Sequence, residues 1–301
     1  MRTGAAMEVR GEADKIRNAG SGSAEVKQGI GLEMKKWNSW KYAMFLLAIP
    51  ACLMAGCGEK KAAEEARLKG IEAMEAGNYE EAIRAFETSL EEADGIVNEF
   101  ELDILQYRGE AEYRLGDYSA AAHTYGILAE VEEKQPEYLY YMAASIAMGG
   151  DLEAAKTAFL AGEQREEDQK KSGESQEPAG VQLALTALTA AARKAGDGEL
   201  AVEFCRQAIE RGSSGPEIYN QMGLSLTEAG NYEEALTYFE NGISLADQET
   251  AGKIRQNIGA LYEKQGNFPE ALAVFRECAA QNGMTPELEK EIAFLESRTE
   301  G

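Results

Sequence analysis

Of the side chains that commonly carry out chemistry, this sequence of 301 residues holds few: one histidine, His123, and four cysteines, Cys52, Cys57, Cys205 and Cys278. A zinc site built on several imidazoles is excluded, and a Ser/His/Asp triad would have to use His123. No two cysteines form a C-x-x-C pair, so neither a zinc knuckle nor a thioredoxin-like dithiol is available. Acidic residues are abundant, 53 against 30 lysines and arginines. Their pairs, such as Glu80-Glu81 and Glu233-Glu234, are spaced for helix faces, and none stands out as a glycosidase-type dyad. His123, between Ala122 and Thr124, is expected at the surface. Cys205 and Cys278 are expected as buried fillers, too far apart for a disulfide. The sequence therefore offers no catalytic residue, no metal site and no cofactor site. Cys57 differs from the other thiols, because it follows two small residues at the end of an apolar run.

Lys35, Lys36 and Lys41 precede that run, which extends from Tyr42 to Met54 and closes with Ala55-Gly56-Cys57. Basic, apolar, small is the order of a secretory signal peptide. The run is shorter than the roughly 20 residues a spanning helix needs, and Pro50 discourages a continuous span. Leu53-Met54-Ala55-Gly56-Cys57 resembles the lipobox of bacterial lipoproteins, with Met54 where that family usually has Leu. The resemblance implies that the Cys57 thiol takes a diacylglyceryl group and that cleavage leaves Cys57 as the new N-terminus. Two acyl chains suffice for stable anchoring, at about 0.8 kcal/mol per buried CH₂. The alternatives are an uncleaved signal anchor, or an ordinary cleavage site with an incidental cysteine.

Met34-Lys35-Lys36 reads as a natural beginning, which makes residues 1–33 an upstream extension without a periodic apolar face. Residues 34–56 are then the signal peptide and 57–63 a polar tether. On this reading the protein is exported and lipid-anchored. It sits on the outer face of the cytoplasmic membrane, or faces the periplasm where an outer membrane exists.

Charge narrows the partners. The net charge is −23, and because residues 1–56 carry eight basic and five acidic groups, the remainder stands at −26. That balance argues against nucleic acid and disfavours anionic lipid headgroups. A basic protein partner is compatible with it, and so is plain solubility.

The elements behind these side chains are helical. Apolar residues make up 44% of the chain, prolines number six, and alternating Val/Ile/Thr runs are absent. One pattern recurs six times: a Gly, an Ala five residues later, and a ring or thiol four residues after that. The first three copies are Gly77 with Ala82 and Phe86, Gly116 with Ala121 and Tyr125, and Gly150 with Ala155 and Phe159. The other three are Gly196 with Ala201 and Cys205, Gly230 with Ala235 and Phe239, and Gly266 with Ala271 and Phe275. Gly70, Gly109, Gly223 and Gly259 lack a side chain where a first helix must approach a second, and the alanines are expected to keep the facing surface equally low. The third and fourth copies have Ala143 and Thr189 in place of that glycine and are expected to be slightly splayed. Each ring is expected to fill the gap to the next copy. Asn78, Asp117, Asp151, Asp197, Asn231 and Asn267 follow the turn glycines as N-caps, with Glu81, Glu234 and Glu270 at capping-box positions.

Tyr219-x-x-Met222-Gly223-x-x-Leu226, followed by Gly230, Ala235 and Phe239, resembles the tetratricopeptide repeat, and Ile258-Gly259-x-x-Tyr262 with Ala271 and Phe275 repeats it. The resemblance implies an all-α, right-handed superhelical solenoid of about six TPR-like hairpins with a C-terminal capping helix. Residues 64–162 are expected to form repeats 1–3 and residues 181–283 repeats 4–6. The polar, Pro178-containing stretch 163–180 would be a flexible loop separating the two trios, and 284–301 a capping helix and tail. In that family the first helices line a groove that holds a peptide or a partner's helix. Carried onto this chain, its groove positions are Gln106, Glu110, Tyr113, Tyr140, Asn220, Gln256 and Lys264, which could equally be ordinary solvated positions. Asn257 matches one position of a carboxylate-clamping subclass, but its companions are missing and that specificity is rejected.

The function expected from the whole is a lipid-anchored scaffold at the cell envelope, contacting an unidentified protein or peptide during assembly of an envelope or secretion complex. A self-associating structural spacer is the alternative, and a helical hydrolase with an unrecognised carboxylate site is the more distant rival.

Overall fold

A computed structural model describes residues 56–91, 97–173 and 177–299, with the backbone alone at 56–60 and 282. The proposed signal peptide and the extension before it lie outside the described residues, apart from Gly56. Thirteen α-helices and no strand occur among the described residues. They pair in chain order as α1 (Gly56–Glu75) with α2 (Tyr79–Leu90), α3 (Glu99–Leu115) with α4 (Tyr118–Val131), and α5 (Glu137–Gly149) with α6 (Leu152–Ser172). The later pairs are α7 (Val181–Lys194) with α8 (Gly198–Glu210), α9 (Pro216–Glu228) with α10 (Tyr232–Leu245), and α11 (Gln248–Lys264) with α12 (Phe268–Asn282). A last helix, α13 (Pro286–Thr299), covers α12 with Leu288, Ile292 and Leu295. Residues 61–301 form one compact unit in which hairpins pack on their sequence neighbours, as in an all-α solenoid.

One close contact recurs in each hairpin. The small residue of the first helix and the ring or, in the fourth hairpin, the thiol of the second are always 16 positions apart. A Cβ added to Gly70 would stand 2.4 Å from Phe86, and one added to Gly223 or Gly259 would stand 2.6 or 2.7 Å from Phe239 or Phe275. At Gly109 the distance to Tyr125 is 3.0 Å. The ring therefore lies over the glycine of its own hairpin. It also reaches onward, since Phe86 stacks on Tyr107 of α3 at 5.8 Å and Tyr125 on Tyr141 of α5 at 5.1 Å.

The alanine one turn before each ring shares its helix face. Ala82 on α2, Ala121 on α4 and Ala155 on α6 are all fully buried, and so are Ala201, Ala235 and Ala271 on α8, α10 and α12. A methyl group at these sites leaves no room for a longer side chain without forcing the helices apart. The same geometry explains the two copies that lack the first-helix glycine. Ala143 and Phe159 are both buried, while in the fourth hairpin Thr189 faces Cys205, whose thiol lies 3.7 Å from the threonine hydroxyl. In that fourth hairpin a larger residue on one helix is matched by a smaller one on the other, which conserves volume.

The turns divide according to their caps. Gly116 takes φ 87°, and the next residue's N–H bonds to Glu112 O at 3.0 Å, closing α3 in a Schellman arrangement. Asp117, Asp151 and Asp197 then accept hydrogen bonds from the backbone of Ala120, Ala154 and Leu200. Asn78, Asn231 and Asn267 occupy N-cap positions without a side-chain bond, so the capping boxes expected with Glu81, Glu234 and Glu270 do not form. These asparagines have ψ of 63–66° against 70–86° at the three aspartates. A carboxylate is also drawn to the positive helix end more strongly than a neutral amide. Among the described residues, Asn98 and Glu101 form a capping box at the start of α3.

Three expected boundaries are corrected. Residues 57–63 are no tether but the first turns of α1, where alanines favour helix and Ala63 and Ala66 pack inward; Ser89 donates to the Ala63 carbonyl at 2.7 Å. Much of 163–180 is no loop either, because α6 runs on to Ser172 and the described non-helical residues are 173 and 177–180. On this extension Glu166 is almost wholly buried. It accepts from the Tyr140 hydroxyl at 2.6 Å and the Arg211 guanidinium at 3.0 Å, and pairs with Lys170 at 2.5 Å. Burial alone would raise the Glu166 carboxyl, but these three donors hold it below its ordinary value. On its other side the extension sends Arg165 and Gln169 to the carbonyls of Glu132, Lys134 and Gln135. Read as composition, the segment is polar and loop-like. Its charges are instead spent on ion pairs that keep it helical.

Nor does the segment divide the stack into two trios. One core cluster runs from Tyr140 and Ala143 through Ala184, Leu185 and Leu188 to Leu261. Here α7 packs against α5 and only marginally touches α6, and Ala144 and Ala147 of α5 are buried in the same cluster. Alanines on both first helices permit that close approach.

Candidate partner-binding wall

The first helices of successive hairpins lie side by side and are tied by hydrogen bonds between polar side chains. Gln106 on α3 donates to the Tyr138 hydroxyl on α5 at 2.6 Å. Arg193 on α7 forms a two-pronged pair with Glu228 on α9 at 2.8 and 3.0 Å, and donates to Gln221 at 2.9 Å. Asn257 on α11 donates to Asn220 on α9 at 2.8 Å. These bonds occupy one edge of several side chains and fix the spacing of the wall.

Among the seven residues expected to line a groove, Gln106, Glu110, Tyr113 and Asn220 are half-buried on the first helices, and Gln256 and Lys264 are exposed on α11. Glu110 accepts from Arg114 at 2.8 Å, and Tyr113 meets Tyr118 edge-on at 5.4 Å. Gln256 borders a shallow depression with Gln248, Glu249, Gly252, Lys253 and Gln281. Tyr140 is a correction. It is fully buried, its ring lies where a Cβ on Gly162 would stand 2.9 Å away, and its hydroxyl is committed to Glu166. The three-residue offset from Ala143 points to the wrong tyrosine. Gly162 opens a slot on α6 that draws Tyr140 inward and leaves its neighbour Tyr141 at the surface, half-exposed against Tyr125.

Sequence reasoning also missed Tyr107, Tyr138, Tyr141 and Arg193. The signal present was spacing: Gln106 with Glu110, and Tyr138 with Tyr141, each lie one turn apart on a first helix. Burial pushes the Tyr138 hydroxyl up to about 12, with Glu137 and Glu132 adding to the effect, so it stays protonated at neutral pH. Tyr141 is raised for the same first reason, then by Glu110 and Glu137.

The remaining chemistry is sparse. Cys205 and Cys278 are buried free thiols, both raised by burial. His123 is exposed on α4. Among the described residues no group of three or more His, Cys, Asp or Glu could hold a metal ion, and no helix is long and apolar enough to cross a membrane. Cys57 is the second residue of α1.

Comparison with known proteins agrees with this architecture. Residues 216–281, covering α9 to α12, match the family model described as tetratricopeptide repeat. The photosystem I assembly protein Ycf3 of Prochlorococcus marinus (strain NATL1A) is 28% identical over 79 residues, 26% of this chain and 46% of that protein. The chain thus spans less than half the length of the curated relative it matches. Among solved structures, a tetratricopeptide repeat protein from Parabacteroides merdae superposes with a TM-score of 0.58 at 16% identity, over 80% of this chain and 89% of that one. The APC/C hetero-tetramer Cut9-Hcn1 gives 0.51 at 14% identity, over 79% and 43%. Such identities speak for the fold alone: the chain is a helical solenoid similar to tetratricopeptide repeat proteins, with its recognisable repeat sequence in the fifth and sixth hairpins.

Proposed function

We propose that the protein is an exported scaffold, anchored by lipid at Cys57, that holds a segment of another protein against its first-helix wall. One observation carries the binding part of this reading. Glu110, Tyr113 and Tyr141 stand half-buried on adjacent first helices, combining aromatic surface, hydrogen-bonding capacity and charge on a rigid support. Aromatic side chains contribute large contact area at low entropic cost, and residues of this kind dominate binding energy. The stack offers no deep enclosed cavity among its described residues, which suits an extended or helical segment better than a small molecule. A relative named as an assembly protein supports a role in building a larger complex, here at the envelope. The lipobox-like segment Leu53–Cys57 supports the anchor.

The test of the anchor is metabolic labelling with radioactive palmitate in cells making the wild type and Cys57→Ala. Label in the wild type and its loss in the variant are expected. Equal labelling of both would overturn lipidation at Cys57 while leaving the wall intact.

A further inference from the structure

Resting on the partner-binding reading, we infer that hairpins 2 and 3 form a subsite for a cationic side chain, so that the partner segment presents a lysine or arginine to Glu110 and Tyr141. The geometry starts from the Gln106–Tyr138 hydrogen bond, which joins α3 to α5 at one level of the wall. Both helices run in the same direction as first helices of adjacent hairpins. One turn further on, Glu110 on α3 therefore faces Tyr141 on α5. Tyr141 is backed by Tyr125, whose stacked ring at 5.1 Å fixes its plane. Tyr113, three residues beyond Glu110 on the same helix, meets Tyr118 edge-on at 5.4 Å. A carboxylate near a tyrosine ring, as Glu110 is near Tyr141, is a cation's environment, since ring quadrupole and carboxylate attract the same charge.

Two further observations bear on the occupant. The carboxylate of Glu110 is only partly engaged: both Arg114 contacts, through Nε and Nη2, are to Oε1. That pair is exposed and lies within one helix, the kind of surface ion pair that is worth little and yields to a better partner. The field of the stack has the same sign, with net charge −26 from residue 57 onward. A basic segment is drawn toward the wall, and an acidic one is repelled. The wall further along differs. In hairpins 4 to 6, Arg193 with Glu228 and Gln221, and Asn257 with Asn220, bond to each other. The Glu110 carboxylate instead keeps Oε2 outside its pair with Arg114.

The experiment selects peptides from a phage-displayed random dodecamer library on the full chain held in detergent micelles. It then measures their binding by fluorescence anisotropy to the wild type, Glu110→Gln, Tyr141→Leu and a control, Glu203→Gln, at an exposed carboxylate of the second helix α8 that pairs with Arg206 on its own helix. Thermal melts establish that each variant is folded. The expected result is enrichment of peptides with Lys or Arg, weakened about tenfold by Glu110→Gln or by acetylation of the peptide lysine, and less than twofold by Glu203→Gln. Equal weakening by Glu110→Gln and Glu203→Gln would reduce the effect to general charge and overturn the subsite. Enriched peptides without a basic residue, still sensitive to Tyr141→Leu, would also overturn it while leaving the wall standing. No enrichment, or binding indifferent to both wall variants, would remove the subsite and the wall together.

Discussion

Replacing Gly223 by alanine should destabilise the protein, although the same change in the interior of an exposed helix normally stabilises it. Alanine favours the helix over glycine by about 1 kcal/mol. Against that gain, the new Cβ would stand 2.6 Å from both Cδ1 and Cε1 of Phe239, a ring that is fully buried in the central core. Ordinary contact would require the ring to retreat by nearly 1 Å into packed neighbours, and overpacking of this kind costs about 1–3 kcal/mol. The net loss is then up to about 2 kcal/mol, or a fall in Tm of up to roughly 8 °C for a unit of this size. Gly126 on α4 is the internal control, because its added Cβ meets nothing closer than the Met142 sulfur at 3.8 Å. Thermal and urea unfolding of Gly223→Ala and Gly126→Ala should therefore move in opposite directions, and Gly223→Ala with Phe239→Leu should recover part of the loss. Stabilisation of the Gly223 variant comparable to that of Gly126→Ala would refute the proposed hairpin closure.

Further outcomes follow from the same packing and from the buried charges. Cys205→Phe alone should destabilise by about 1–3 kcal/mol, because Thr189 occupies the space a ring needs, and adding Thr189→Gly should restore stability in urea melts. Arg211→Met leaves the Glu166 carboxylate with Tyr140 and Lys170 alone, and a loss of about 2–3 kcal/mol is expected in place of the 3–5 for a fully orphaned charge. A double-mutant cycle with Glu166→Gln should show strong coupling. Burial, and then the adjacent Glu291 on α13, push the Glu263 carboxyl up to about 7 from near 4.5. A raised folded value means that the native state holds the proton more tightly. Its contribution is full below about 4.5 and is lost as pH rises through 7. Thermal melts should show Glu263→Gln flattening the decline in stability between those pH values; an unchanged profile would contradict the assignment.

Much of the architecture was legible because its determinants are short-range. The Gly, Ala and ring interval encodes one hairpin through contacts within it, and the 16-residue partnership of Gly223 with Phe239 repeats wherever that interval does. Ala82, Ala121 and Ala155 could be placed inside for the same reason, since each sits one turn from a ring on its own helix. The aspartate caps are local in the same sense. What the sequence concealed depends on distant partners. The α6 extension is polar enough to read as a loop until Arg211, 45 positions on, is brought against Glu166. The exposure of Tyr141 in place of Tyr140 was hidden because it depends on Gly162, a glycine outside the repeating pattern, which admits Tyr140 to the core. The asparagines show the reverse: their N-cap positions were correct, but their side chains make no cap hydrogen bond. Of the expected groove positions, Gln106, Glu110, Tyr113 and Asn220 are half-buried on first helices, while Gln256 and Lys264 are exposed on α11.

Where a partner touches the protein decides between the first-helix wall and the opposite face. A photoreactive phenylalanine analogue placed at Gln106 or Tyr113 on the wall, and at Glu203 on the outer face, and irradiated in the cells that make the protein, reads this directly. Crosslinks to a partner from Gln106 and Tyr113 and none from Glu203 are predicted. Crosslinks from Glu203 with none from the wall would contradict it.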